Sequence, residues 1–345
     1  MNLNRRLEAI SDAMKIRAGV VGKTYAEHPK AREILNGSEP LFAVLADAIS
    51  SSAHPDGRPT RVQGLGGMLV TQDFEDVLGD FLRTAFSFSF VGHLAHRSFV
   101  AMRTLRDYRE HRASTADLSF DMSEELAEHQ EARSIVSVDT MLGNLVRLRR
   151  YGRDLAIARR VIVNDDLDLL AGYGTAGGAT AARLEAAAVY ALMESNPTLG
   201  DSSPMFHADF GNIVAAALDA AGLGSALGAL RKTPMADAAP SNLDAAFLVV
   251  EPTLELTART LVKDAGLNVA VISSAWLGSG RWYLLAAPEV APVVALFHLE
   301  GHDRDISVNR IRLPANSSFD GVLLGIRYEF GVTAVGRAGV VRGGA

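Results

Sequence analysis

The chain has 345 residues, 48% hydrophobic and 21% charged, enough for a large core and too apolar for wholesale disorder. A net charge of -6 carries no global nucleic-acid signature, and the absence of cysteine excludes disulfides, thiolate metal sites and cysteine nucleophiles. No apolar run approaches the roughly 18 residues of a membrane span, and the N-terminus lacks the apolar core of a secretory signal, so a soluble, cytoplasmically made protein without membrane contact is expected.

Residues 1–35 read as helix, with Leu3, Leu7, Ile10 and Met14 at three- and four-residue spacing. Leu41 to Ile49 is also helical in pattern, and SSSAHPDGRP (50–59) breaks it. This sets residues 1–60 apart as a helical N-terminal extension. Its first 37 residues carry seven basic side chains against four acids, read as a solvated helix face. From Gln72 a stronger helix begins, with Phe74, Val77, Leu78, Phe81, Leu82 and Ala85 as its apolar stripe. Residues 86–112 mix alternating and helical patterns. Segment 113–163 is polar. An acidic part containing Glu124 and Glu125 precedes six arginines: Arg147, Arg149, Arg150, Arg153, Arg159 and Arg160. SIVSVDT (134–140) and LAIARRVIV (155–163) alternate as strands do. A long two-stranded excursion is expected, its acidic and basic limbs opposed. Such a ribbon buries little of its own surface and needs a partner.

Asn164 is expected to cap the next helix, with Asp165 and Asp166 in its first turn, where the helix dipole favours acids. Gly172, Gly174, Gly177 and Gly178 are expected to interrupt or bend it. Leu184, Ala187, Ala188, Ala191 and Leu192 form a narrow face for close packing, and Asn196-Pro197 ends the helix. After a loop ending in FHADFGN, Asn212 can cap a helix through Leu218, and Gly222-Leu223-Gly224 separates it from a second one ending near Lys232. FLVVE (247–251) reads as a buried strand, and Pro252 opens a helix that continues to Asp264. The rest is mostly strand, with turns at Asp320-Gly321 and Gly331. Helices, a ribbon, a long helix and a β-rich tail define an α+β class.

The candidate chemistry is thin. GVVGKT (19–24) has two residues between its glycines where a phosphate-binding loop needs four, and no strand precedes it. GYGTAGGAT (172–180) follows a helix and breaks the dinucleotide spacing. HLEGH (298–302), with Asp303 and Asp305, would offer two histidines at helical spacing, but VVALFHLE reads as strand and the pair as a solvated polar turn. His207 and Asp209 have no nucleophile beside them, and Ser202 and Ser203 lack an activating context. The arginines lack the interleaved aromatics of a stacking platform. No cofactor, metal or catalytic residue is assigned.

The order of motifs carries more. VIVNDDL (161–167), AARLEAAAVYALMESNPTLGDSSPMFHADFGN (181–212), FLVVEPTLELTARTL (247–261), RWYLLAAPE (281–289), LFHLEG (296–301) and FDGVLLGIRYEFGVTAV (319–335) stand in sequence. In this the chain resembles major capsid proteins of tailed bacteriophages with the Hong Kong 97-type fold, and among them the branch of the phage Mu major head subunit. The resemblance covers roughly residues 70–345. It implies an N-arm (61–112), an extended E-loop (113–163), a P-domain made of a long spine helix (164–197) and terminal strands (306–345), and an A-domain (198–305). It implies hexamers and pentamers of the chain closing an icosahedral shell around double-stranded DNA, held without sequence-specific recognition. Portal, decoration and scaffold proteins are the further partners it implies. The location implied is the virion head, after synthesis in a bacterial host cytoplasm. The residues it marks for fold and assembly are Asn164, Asp165, Asp166, Gly177, Gly178, Asn196, Pro197, Phe206, His207 and Asn212. Arg147, Arg149, Arg150 and Arg153 with Glu124 and Glu125 are the charge candidates between subunits. Related containers, a gene-transfer-agent head or an encapsulin, are the alternative, with a metal-dependent enzyme built on HLEGH behind them. No protease domain precedes the capsid part, so a maturation protease would be a separate protein, and residues 1–60 are a candidate scaffold segment. Residues 113–163 contain no lysine, so the lysine–asparagine crosslink of some family members is not expected.

Overall fold

The computed structural model describes residues 3–22, 25–37, 39–53, 72–113, 144–234, 240–301, 306–311 and 319–344. Glu124, Glu125, SIVSVDT and His302 to Asp305 lie outside them. In chain order the helices are α1 (Leu3–Arg17), α2 (Ala31–Leu35), α3 (Leu41–Ala53), α4 (Gln72–Val91), α5 (Arg159–Val163), α6 (Leu167–Glu194), α7 (Ala220–Lys232) and α8 (Glu255–Asp264). The strands are β1 (Ala101–Leu105), β2 (His111–Arg112), β3 (Leu145–Val146), β4 (Arg149–Ala158), β5 (Ile213–Val214), β6 (Ala245–Val250), β7 (Ala270–Ser273), β8 (Trp282–Ala286), β9 (Val294–Leu299), β10 (Ser307–Arg310), β11 (Gly321–Ala334) and β12 (Val340–Gly343). The fold is α+β. The chain divides into two compact units: Met1–His93, Arg150–Leu184 and His302–Glu329 form the first, and Leu94–Arg149, Glu185–Gly301 and Phe330–Ala345 the second.

In the first unit α1 buries Leu7, Ile10 and Met14, as their spacing predicts. The expected single helix over 1–35 is broken. Gly19, at φ +65°, ends α1 by donating its N–H to the Ile16 carbonyl, while Val20 donates to Lys15. This is the paired bond pattern of a glycine helix stop, and it accounts for the first glycine of GVVGKT. The basic face is not wholly solvated either. Lys15 is only 5% exposed, and its ammonium lies 2.5 Å from Asp80 and 3.6 Å from Asp12. A buried cation requires such partners. Helix α4 buries all six residues of its expected stripe, and the Phe42 and Phe74 rings, 6.2 Å apart, join α3 to α4. The N-terminal half of β11 carries β10 antiparallel, Ser307 opposite Arg327, and also pairs with β4.

In the second unit the end of β11 pairs antiparallel with β9, Gly331 opposite Phe297, and β1 runs parallel to β9. A separate sheet has the order β5-β12-β8-β6-β7. Leu223, Ala226 and Leu230 of α7, with Ala258 and Val262 of α8, share a core with Leu248, Val250, Trp282 and Leu284 of that sheet.

Several expectations change here. The ribbon has a paired base, β2 with β3, but RRVIV (159–163) is the helix α5, and β4 finds its partner in β11 of its own chain. Gly331 makes no turn. It lies inside β11, where a Cβ would sit 2.7 Å from the Arg147 carbonyl. Asn212 caps no helix: β5 follows it, and α7 starts at Ala220, capped by Asp219, whose carboxylate accepts the Gly222 N–H at 2.6 Å. Gly222 therefore stands in a first turn and not between helices. Within segment 306–345, β10 and the first part of β11 belong to the first unit, and β12 is held between β5 and β8 in the second.

Candidate functional site

Helix α6 runs for 28 residues without a break, despite its four glycines. Three of them receive α4. A Cβ at Gly174 would stand 2.5 Å from that of Ala85, one at Gly177 would run into the Phe86 ring, and one at Gly178 into the Phe86 carbonyl. The glycines are the floor of a helix crossing, and the expected bend is replaced by close backbone approach. Gly172 meets nothing within 4 Å.

The start of α6 also differs from expectation. Asn164 closes α5, its N–H bonded to the Arg160 carbonyl. Asp165 follows at φ +58°, the left-handed region that Asp and Asn tolerate better than most side chains. Its carboxylate turns away from α6. It accepts from the Leu41 N–H at 3.2 Å and the Phe42 N–H at 3.0 Å, and pairs with Arg17 at 2.6 Å. Asp165 thus satisfies the first amides of α3 from a distant part of the sequence, a cap no local pattern announces. Asp166 immediately precedes α6, and its carbonyl accepts the Leu170 N–H at 3.3 Å.

The packing face of α6 is rotated about one position from the expected one. Ala182, Glu185, Ala186, Val189, Tyr190 and Met193 are buried, while Leu184 and Ala191 are exposed. The rotation brings a carboxylate inside. Glu185 is fully buried in the second unit. It accepts from Arg97 Nε at 2.6 Å and Nη2 at 2.7 Å, and its Oε1 lies 2.7 Å from His96 Nε2. His298 Nε2 stands 3.2 Å from Arg97 Nη2 and 3.5 Å from the carboxylate. Burial works against ionisation of Glu185, but the hydrogen bonds from Arg97, His298 and His96 outweigh it and hold the pKa far below the usual carboxylate range. The cluster ties α6 to the 3-10 turn Ala95–Phe99 and to β9. Sequence reading missed it: Arg97 and His96 lie in a stretch of mixed pattern, and an isolated Glu among alanines reads as solvent-facing. His298 is fully buried on β9, so the solvated-turn reading of HLEGH fails for its first histidine.

The loop after α6 keeps its expected stop. Asn196, at φ +48°, ends the helix ahead of Pro197. Its side-chain amide pairs with Phe206 in both directions, at 3.0 and 2.7 Å. Asn212 is buried, accepts the His207 N–H at 3.0 Å and donates to the Met205 carbonyl at 2.8 Å. Phe206, buried, faces Tyr283 with ring centroids 5.7 Å apart. His207 accepts the Asp209 N–H at 3.2 Å, and both side chains are exposed. These residues staple a loop shut and set up no nucleophile. Asn164, Asp165, Asp166, Gly177 and Gly178 belong to the first unit, and Asn196 to Asn212 belong to the second.

Among the arginines, Arg150 pairs with Glu329 of its own chain. Arg153 uses its carbonyl, accepting from Arg327, which also pairs with Asp154 at 2.7 Å. Arg147 and Arg149 are exposed. Among the described residues no group of three or more His, Asp or Glu side chains is placed to hold a metal, and no helix is long and apolar enough to cross a membrane.

The family described as phage capsid protein matches residues 144–343, more than half of the chain, and the chain belongs to that family. No curated protein matches it. Among solved structures the chain is similar to the capsid of Cyanophage P-SCSP1u, at 11% identity and a TM-score of 0.46 over 73% of this chain and 88% of that one. It is similar to a virus-like particle from Pyrococcus furiosus, at 10% identity and a TM-score of 0.47 over 79% and 99%. It is also similar to the capsid of an empty gene-transfer-agent particle, at 14% identity and a TM-score of 0.45 over 73% and 90%.

Proposed function

We propose that this protein is the major head subunit of a tailed phage with the Hong Kong 97-type fold, of the phage Mu-like branch. It assembles as hexamers and pentamers into a closed icosahedral shell around double-stranded DNA, and performs no catalysis. Portal, decoration and scaffold proteins complete the virion head, and the chain is made in the cytoplasm of a bacterial host. The observation that carries this reading is the capsid family match over residues 144–343. Helix α6 serves as the spine of the P-domain, segment 113–163 as the E-loop, and the sheet containing β6, β8 and β12 as the body of the A-domain. Helices α1 to α3 remain with the subunit. Arg17 to Asp165 and Lys15 to Asp80 tie them into the first unit, which a removable scaffold segment would not need. Negative-stain microscopy of the purified protein tests the reading. Closed, uniform polyhedral particles are the expected result, and a chain that stays monomeric under every assembly condition overturns it.

A further inference from the structure

The loop between α6 and β5 presents two phenylalanine rings to two arginines, all within the second unit. The Arg337 guanidinium carbon lies 4.1 Å from the Phe210 ring centroid, and that of Arg342 lies 5.0 Å from Phe206. Each is a cation on an aromatic face. They differ in their anion. Arg337 is 8% exposed, and both carboxylate oxygens of Asp201, from the same loop, accept from its Nη2 at 2.7 and 2.6 Å. Arg342 is half-buried and has the ring without the carboxylate: among the described residues no acid pairs with it, and its buried Nε makes no hydrogen bond.

The surroundings of Arg342 add a second cation. Arg342 stands opposite Tyr283 where β12 pairs with β8, so the two side chains leave the same face of the sheet. Trp282, Leu284 and Val341 take the other face, against α7 and α8. Glu194, at the end of α6, accepts the Tyr283 O–H at 2.6 Å and lies 3.9 Å from Arg281 Nε. Arg281 donates from Nη1 to the Gly344 carbonyl at 3.4 Å, and its buried Nε makes no hydrogen bond. Burial and Glu194 push the Tyr283 phenol up, while Arg281 and Arg342 both pull it down, so the two guanidinium groups act in one field. Two arginines thus share one glutamate that Tyr283 already engages.

We propose that Arg342, seated on Phe206 with Arg281 beside it, is a binding site for a phosphate oxyanion. At Arg337 the chain supplies the anion itself. At Arg342 it supplies none, and a partly buried guanidinium gains most from an anion that accepts from its fork. A planar fork next to a second cation is the donor set that recognises phosphate oxygens. The phosphate is inorganic or belongs to a DNA backbone, and only the second source rests on the shell-subunit reading.

Thermal melts in phosphate and in chloride, at one pH and one ionic strength, read the site, because simple screening is then equal. Phosphate at several-fold its Kd should raise the wild-type melting temperature by about 2 °C or more over chloride. Arg342→Gln should lose that increment, and Arg342→Lys, which keeps the charge without the fork, should lose most of it. Each increment is taken within one variant, so a change in baseline stability does not enter. If Arg342→Gln does not fold, Arg281→Gln is measured in the same way and should reduce the increment. Glu194→Gln keeps an acceptor for Tyr283, removes the competing charge and should enlarge it. Equal melting in phosphate and chloride, an increment undiminished in the arginine variants, or acetate matching phosphate overturns the proposal. A short DNA duplex that displaces inorganic phosphate from the wild-type chain assigns the site to the DNA backbone, and one that does not leaves it to free phosphate. A wild-type chain that binds phosphate and never forms particles sinks the shell reading alone.

Discussion

Glu185 is a buried carboxylate whose charge is shared with one arginine and two histidines. Removing its charge by Glu185→Gln leaves the part-buried Arg97 without its counter-ion. Breaking a buried pair this way costs about 3–5 kcal/mol, and thermal melts should show a drop far beyond that of Arg183→Ala on the exposed side of the same helix. The folded pKa lies below the ordinary value of 4.5. The carboxylate's contribution is therefore full above that ordinary value and is lost as the pH falls toward the folded one. Denaturant unfolding followed from neutral to acid pH should show wild-type stability declining below 4.5, with a flatter profile for Glu185→Gln. Asp165 makes a second residue-scale case. Asp165→Ala removes the cap of α3 and the Arg17 partner and should cost about 1–2 kcal/mol in chemical unfolding. Asp165→Asn keeps an acceptor and the left-handed backbone, and should cost less.

At the scale of elements, the crossing of α4 over α6 depends on glycines whose roles differ. Gly178 faces the Phe86 carbonyl, which cannot swing aside as a ring can. Gly178→Val should therefore cost about 1–3 kcal/mol or prevent folding of the first unit. Gly172 sits in the same helix against open space, so Gly172→Ala should stabilise by up to about 1 kcal/mol. Melting curves of the two variants moving in opposite directions would establish the crossing. Equal and small effects would mean that the glycines serve flexibility. A similar contrast separates the strands: β11 passes through Gly331 because β3 and its neighbour Arg147 press on it there, while Gly19 and Gly211 occupy turns at positive φ.

At the scale of the whole molecule, α6 and β11, the longest helix and the longest strand among the described residues, each contribute residues to both compact units. Segment 113–163 contains no lysine. Assembled particles should therefore dissolve on a denaturing gel to a single band at the monomer mass. A ladder that survives boiling and reductant would show covalent joining and refute this expectation.

Local signals were legible in the sequence. The apolar stripe of α4 repeats at helical period, Asn196-Pro197 stops α6, Pro252 opens the turn into α8, and FLVVE makes a buried strand, because period, capping and proline geometry act over a few residues. The order of motifs from VIVNDDL to the β-rich tail also carried the capsid family, which the match over 144–343 bears out. The tertiary structure alone decided where long-range partners were needed. Asp165 reads as the opening of α6 until α3 is beside it. Gly177 and Gly178 read as a bend until Phe86 is above them. Glu185 reads as solvent-facing until Arg97 and His298 close on it. The identity of each residue was visible in the sequence, but its partner came from a strand or helix tens of residues away, and burial, the term that sets the worth of a charge or a missing Cβ, is a property of the packed chain.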